Sequence, residues 1–347
     1  MDPILATAVF LFGLAFGSFL NVCIHRLPRR IELQDRRERE QAALAKLSES
    51  KAEMAGIAPR LAEMVRLEAE IDGFSVVHPR SACPKCHQPI RNYDNIPVVS
   101  WLLLGGRCRH CKTPISPRYI LVELLTAVLF LACFWRFGWE LATAKYCVLC
   151  FLIVGLVFID AEWKLLPDAL TLTGLAAGLA FSLVVPLNDV LAIFLPGAFT
   201  SLSVGWRVVS LGDALLGAAV GASFFYFVAI LYLRVRGREG MGMGDVKLMA
   251  MVGAFLGVRL TIMTIFGASL VGSLFGLVSI LVVWSRRTER RMQKCREPRE
   301  IARKRAWRSA RLLYQHFGLP FGVFLGPMAL ASLFFGRTLL DWYWSLY

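Results

Sequence analysis

The sequence predicts an all-α polytopic membrane protein of about eight transmembrane helices, with a polar domain between the first and the second. Three observations carry that prediction. Hydrophobic residues make up 56% of the 347, with a mean hydropathy of +0.56, a balance that soluble domains do not carry. Apolar stretches recur at about 4–24, 119–137, 143–160, 168–186, 211–233, 246–258, 261–284 and 319–336, the sixth being short. The net charge of +14 is clustered: residues 25–118 hold 17 Lys/Arg against 11 Asp/Glu, residues 285–318 hold 12 Lys/Arg, and 187–211 carries only Arg207. Clustering of that kind fits the positive-inside rule rather than a nucleic-acid groove, so no nucleic-acid partner is expected.

The first stretch has the length of a signal peptide, but no basic segment precedes it, residue 2 is Asp, and no small-x-small cleavage site follows. Its basic cluster comes afterwards, at Arg26, Arg29 and Arg30, which predicts a retained helix with its N-terminus on the outer, periplasmic side. Alternating the spans then places 25–118, 161–167, 234–245 and 285–318 on the cytosolic side. Helices must close their own backbone hydrogen bonds in lipid, so a helical bundle spanning 119–347 follows.

The cytosolic segment 25–118 divides in two. Residues 32–72 carry Met54, Ile57, Leu61, Met64 and Ile71 at helical spacing, with Gly56 and Pro59 interrupting, which predicts two short amphipathic helices rather than one rod. Such an arm packs or is solvated, or docks a substrate. Residues 78–118 are loop-rich, with Pro79, Pro84, Pro89, Pro97, Pro114 and Pro117. No internal repeat is read in the chain.

Cys83-Pro-Lys-Cys86 and Cys108-Arg-His-Cys111 form two C-x2-C pairs in this polar stretch. Each pair can reach one metal from a tight turn, and together they complete a tetrahedral tetrathiolate zinc site. Two disulfides are the alternative, disfavoured by a reducing cytosol. Four thiolates leave no open coordination position, so the zinc would be structural and would give the cytosolic domain its core. His87 and His110 read as bystanders, and Cys147 and Cys150, inside an apolar span, as small buried hydrophobes.

Asp160 ends the third span and Asp245 opens the sixth. A carboxylate at the centre of an inserted helix costs about 2.5–3.5 kcal/mol, which makes an intramembrane acid a functional-site hypothesis. Two near one membrane face suggest a dyad that shares a proton and activates water; interfacial capping is the plainer reading. Gly242 and Gly244 let the chain bend before Asp245, whose place in a first helical turn favours its anion. Asp160, in more apolar surroundings, is the better proton holder. Asp168 follows Pro167 and reads as the cap of the fourth span, Lys247 either snorkels or tunes the dyad, and Glu239 reads as solvated.

Six blocks, in order, resemble the bacterial type IV prepilin peptidases (prepilin leader peptidase/N-methyltransferases). They are Gly17-Ser-Phe-Leu-Asn-Val-Cys-Ile-His-Arg-Leu-Pro28, the stretch from Pro79 through Cys86 and Asn95-Ile-Pro-Val-Val-Ser-Trp-Leu-Leu-Leu-Gly-Gly-Arg-Cys108, Leu121-Val-Glu-Leu-Leu-Thr126, Asp160 through Asp168, Gly242-Met-Gly-Asp-Val-Lys-Leu248, and Leu319-Pro-Phe-Gly-Val-Phe-Leu325. The resemblance spans nearly the whole chain. It implies cleavage of the short basic leader of prepilins and pseudopilins at the cytosolic membrane face, with Asp160 and Asp245 as the catalytic pair and Cys83, Cys86, Cys108 and Cys111 as zinc ligands. Bifunctional members also methylate the new N-terminal residue with S-adenosylmethionine. No Gly-rich dinucleotide fingerprint is present; Gly106 and Arg107, in Gly105-Gly106-Arg107, are candidates to meet the methyl donor's carboxylate, or simply form a tight turn.

Two segments depart from the family pattern: a long outer loop at 187–210 and a basic insertion at 285–311, for which anionic inner-leaflet lipids are the expected partner. Two rival classes stay open on the residues alone. A proton-coupled transporter would place its acids at the bilayer midplane within repeats, and a zinc-module scaffold would not need the aspartates.

Overall fold

The computed structural model describes every residue except 1, 50–53, 76–79, 188, 195–204, 238–241, 296–297, 317–319 and 347. Glu239, Pro79, Leu319 and the middle of the expected outer loop therefore lie outside the described residues. The chain forms two compact units, Met1–Leu170 and Thr171–Tyr347. Among the described residues the secondary structure is helical apart from two isolated β-bridges.

The first unit contains α1 (Pro3–Glu49), α2 (Met54–Gly73), a 3-10 turn (Asn92–Asn95), α3 (Val99–Leu103), α4 (Arg118–Phe137) and α5 (Leu141–Trp163). Helix α6 (Asp168–Ser182) begins at its end. α1 is longer than the span 4–24 because strong helix formers follow Arg30 and nothing there stops a helix. The arm thus differs from its expected form: its first half continues α1 as far as Glu49, and Pro59 lies inside α2. Leu33 and Leu67 are buried in the arm, and Arg37–Glu68 and Arg60–Glu40 pair at 2.9 and 2.8 Å. α1 and α4 touch backbone to backbone: a Cβ on Gly17 would fall 2.6 Å from the Glu123 Cα.

The second unit holds α7 (Val190–Phe194), α8 (Gly205–Arg236), α9 (Met243–Cys295), α10 (Arg299–His316) and α11 (Gly322–Trp344). The spans expected at 246–258 and 261–284 are two limbs of α9 that meet at Gly257, whose φ of 79° and ψ of −179° interrupt the helix. Gly221 on α8 meets both Met249 and Thr261, so the two limbs fold back beside one another at Gly257. Among the described residues six helices are long and apolar enough to cross a membrane, α9 with its two limbs counted as one, and α6 is a shorter apolar helix. This is a multi-pass membrane architecture.

Two further expectations are corrected. Part of the outer loop is helical, since α8 starts at Gly205 and buries Val209, Ser210 and Asp213. The basic stretch 285–318 is not a loop: α9 runs on to Cys295 and α10 packs back with Ala302, Ala306 and Ala310 fully buried. Trp284 fixes that hairpin, donating Nε1–H to the Arg303 carbonyl at 3.1 Å and meeting Trp307 edge-on.

The kink has its own clasp. Asp189, buried ahead of α7, accepts the Arg259 N–H at 3.2 Å and the Val258 N–H, the first donors after Gly257. Asp213 on α8 in turn accepts the N–H groups of Asp189 and Leu191 at 3.1 and 2.7 Å. Each carboxylate thus caps a helix start it is not part of.

Candidate functional site

The polar stretch before α4 is built from one motif used twice. Residues 81–90 and 106–115 share C-x2-C-x2-P-I at an offset of 25 residues, and their hydrogen bonds match one for one. Cys83 and Cys108 donate N–H to the carbonyls of Gln88 and Thr113; His87 and Lys112 donate to Cys83 and Cys108; Ile90 and Ile115 donate to Ser81 and Gly106. The bridges Ala82–Pro89 and Arg107–Pro114 close the two knuckles. His87 and Lys112 take left-handed φ of 55° and 57°, the turn that aims both sulfurs of a pair inward. The expectation of no internal repeat is therefore wrong; the repeated Pro-Ile after each cysteine pair is the signal that shows it.

The four sulfurs of Cys83, Cys86, Cys108 and Cys111 lie within 4.8 Å of one another, and Cys83 and Cys111 are 3.7 Å apart. A tetrahedral tetrathiolate with Zn–S bonds of about 2.3 Å needs sulfurs about 3.8 Å apart, so the donor set fits a metal ion of that kind. Backbone N–H groups of Cys86 and Lys85 lower the Cys83 thiol, and Thr113, through its hydroxyl and its backbone, lowers Cys111 to about 6. Cys86, despite the Gln88 N–H, is raised to about 11 by burial and the neighbouring sulfurs, so ligation there must displace a proton. Neither His87 nor His110 joins the cluster.

Arg109 braces the second knuckle. Its guanidinium bonds both oxygens of Asp94 and lies 5.5 Å from the Tyr93 ring centroid, and it holds the Asp94 carboxyl below the ordinary carboxylate range. Gly105 and Gly106 have φ of 58° and 65°, and a Cβ on Gly106 would fall 2.8 Å from the Trp101 ring. The N–H groups of Gly105, Gly106 and Arg107 are donated to the carbonyls of Leu102, Trp101 and Leu104. The turn uses these donors itself, leaving the exposed Arg107 side chain as the group that can meet an external carboxylate.

One contact was invisible in the sequence. Glu123 on α4 is buried and accepts the Val98 N–H at 2.8 Å, with Ser18 and Asn21 of α1 also bonded to it. Val98 has φ 61° and ψ −51°, and Val99 N–H folds back to the Pro97 carbonyl, a γ-turn that is rare and strained for a β-branched residue. Glu123 thus ties the knuckle module to α1 and α4.

Asp160 is buried in the last turn of α5, where Lys164, at a left-handed φ of 52°, donates its N–H to the Asp160 carbonyl and ends the helix. Arg118, at the start of α4, pairs with Glu162 two residues on. Asp168 opens α6. In the second unit Asp245 stands half-buried in the first turn of α9, its N–H donated to the Gly242 carbonyl, with Lys247 also half-buried. The structure thus brings the four cysteines together, and it sets each aspartate at the end of an apolar helix, in the first and second unit respectively.

Two family models match. Residues 11–137 match the bacterial peptidase A24 N-terminal domain, and residues 147–277 match the type IV leader peptidase family. A protein of Neisseria gonorrhoeae named prepilin leader peptidase/N-methyltransferase is 36% identical over 283 residues, 82% of this chain and 84% of its own length. The chain belongs to the type IV leader peptidase family. An Aeromonas hydrophila protein of the same name is 35% identical over 335 residues, 96% of this chain and 92% of its own. One from Pseudomonas aeruginosa is 37% identical over 270 residues, 78% of this chain and 79% of its own. No solved structure matches. All four cysteines fall in the N-terminal family domain and both aspartates in the leader peptidase domain. Membership in this peptidase family leaves the transporter reading without support.

Proposed function

We propose that this protein is a prepilin leader peptidase of the bacterial inner membrane that also N-methylates its product. The observation that carries the reading is family membership across both domains, with Asp160 and Asp245 standing at helix ends in the peptidase part. Prepilins and pseudopilins are the substrates. One ionised carboxylate of the pair takes a proton from water, whose oxygen attacks the carbonyl carbon of the scissile peptide. The other, protonated, donates to the developing oxyanion, and collapse returns a proton to the departing amine.

The zinc-bound cytosolic domain is residues 25–118, following the first transmembrane helix at 1–24, and the membrane peptidase domain is 119–347. Zn2+ is held by Cys83, Cys86, Cys108 and Cys111 as a structural ion, supported by their spacing and by the spread of the four sulfurs. S-adenosylmethionine is the methyl donor, and it supplies an electrophilic methyl group when bound. The Arg107 guanidinium orients the donor's carboxylate, and Gly106 contributes by letting the turn beneath Trp101 close. The N-terminus faces the periplasm, which leaves the basic hairpin of α9 and α10 against anionic lipids of the inner leaflet.

The test is cleavage of a prepilin-like peptide in proteoliposomes by wild type, Asp160→Asn and Asp245→Asn, read by mass spectrometry for leader loss and for a methyl mark. Both variants should lose cleavage while keeping their metal content. Cleavage surviving in either removes that aspartate from the mechanism, and no cleavage by wild type removes the proposal.

A further inference from the structure

We propose that α3 is a foot that the cysteine-knuckle module sets into the bilayer, with Tyr93, Ile96, Val99, Leu102 and Leu103 lying at the headgroup–acyl boundary. These five residues fall within eleven positions and are 52%, 49%, 48%, 61% and 81% exposed. A module standing in water has no reason to present such a run, because contiguous apolar exposure marks a surface that meets something apolar.

Depth identifies the occupant as lipid. α4 has 20 residues, about 30 Å, which matches the thickness of a hydrocarbon core, so its first residues sit at one edge of that core. Glu123 is five residues past Arg118, about 7.5 Å along the axis, and helical side chains lean back toward the N-terminus. The Val98 N–H reaches this carboxylate at 2.8 Å, which fixes the start of α3 level with the first turns of α4. Interfacial helices bury their apolar face to a similar depth, about 5–10 Å.

The rest of the segment is built for that setting. Backbone groups in lipid must be satisfied internally. Here Ser100, Leu102 and Leu104 donate N–H to Ile96, Val98 and Ser100, and Ile96 N–H meets the Ser100 hydroxyl at 3.1 Å. That hydroxyl donates to the Tyr93 carbonyl at 2.8 Å, on the side of α3 turned into the module. Arg91 and Arg109 stand over the Tyr93 ring at 5.8 and 5.5 Å, a cation–aromatic arrangement suited to the headgroup layer.

The experiment places the photoreactive residue benzoylphenylalanine at Val99 or at Leu103, one at a time, in the full chain. The protein is reconstituted in phosphatidylethanolamine–phosphatidylglycerol vesicles and irradiated with and without a prepilin-like peptide. Intact mass should show an adduct of one phospholipid at both positions and none at Lys85, an exposed residue of the first knuckle. The two positions are a helical turn apart, so one tolerated replacement suffices. Adducts to the peptide in place of lipid would make this surface a substrate face and overturn the proposal. Absence of lipid adducts, or equal labelling at Lys85, would overturn it too.

Discussion

Replacing Asp189 with Ala should destabilise the second unit by about 2 kcal/mol, a value that follows from the clasp at Gly257. Two N–H groups at the start of the second α9 limb, those of Val258 and Arg259, lose their acceptor. Losing a helix cap costs about 0.5–2 kcal/mol, and the half-exposed Arg259 allows water to restore part of what two such donors lose. For a unit of this size that is a fall in Tm of about 4–8 °C, read by intrinsic tryptophan fluorescence in detergent. Asp189→Asn keeps an oxygen acceptor and discards the charge, so its cost stays within about 1 kcal/mol. The pH dependence has a definite sign. Burial raises the Asp189 carboxyl, so its contribution to stability is present below the ordinary carboxylate value and is lost as pH rises through the raised one. Relative to wild type, the Asn variant should therefore gain stability as pH rises. A fall of less than about 1 °C for Ala, or an Asn variant as unstable as Ala, would refute the capping argument.

Other outcomes can be checked alongside. Cys108→Ser should lower bound metal and loosen the knuckle module, seen as protease sensitivity between residues 80 and 117, whereas His110→Ala should leave both unchanged. Arg107→Ala should abolish the methyl mark on the pilin product while leader cleavage continues; equal loss of both would remove its assigned role. Asp94, lowered by Arg109, stabilises the module above the ordinary carboxylate value of about 4, and that contribution fades as pH falls through the lower folded value. Metal retention by wild type and Asp94→Asn should accordingly differ at neutral pH and converge in strong acid. Gly253→Ala should impair accumulation in the membrane, since its Cβ would fall 2.1 Å from the Gly217 carbonyl oxygen.

Hydropathy located the long apolar helices and α6 but not the short α3 and α7, and the gap between the spans at 246–258 and 261–284 falls beside the Gly257 kink. What it misjudged was how far helices run beyond the membrane. Arg, Glu, Lys and Ala favour helix as strongly in water as Leu does in lipid, so neither the end of α1 nor that of α9 carries a polarity signal. The cysteine spacing was decisive because two short local motifs make the whole cluster. Glu123 and Asp189 were illegible for the opposite reason. Their partners at Val98 and Arg259 lie 25 and 70 residues away, and nothing local to either acid announces them.

The crossing of α8 and α9 bears on how well Asp245 can be aimed. Gly217 and Gly253 meet there with no side chain between them, and Gly221 meets Met249 one turn closer to the aspartate. Asp245 is eight residues from Gly253, so it sits at the tip of a lever about 12 Å long. Rotating that lever by about 5° would carry the carboxylate about 1 Å, a displacement that can cost about 10²-fold in rate. Two bare backbones in contact leave little room for such play, so on the proposed mechanism the aiming of this acid is set by a helix crossing two turns away from it.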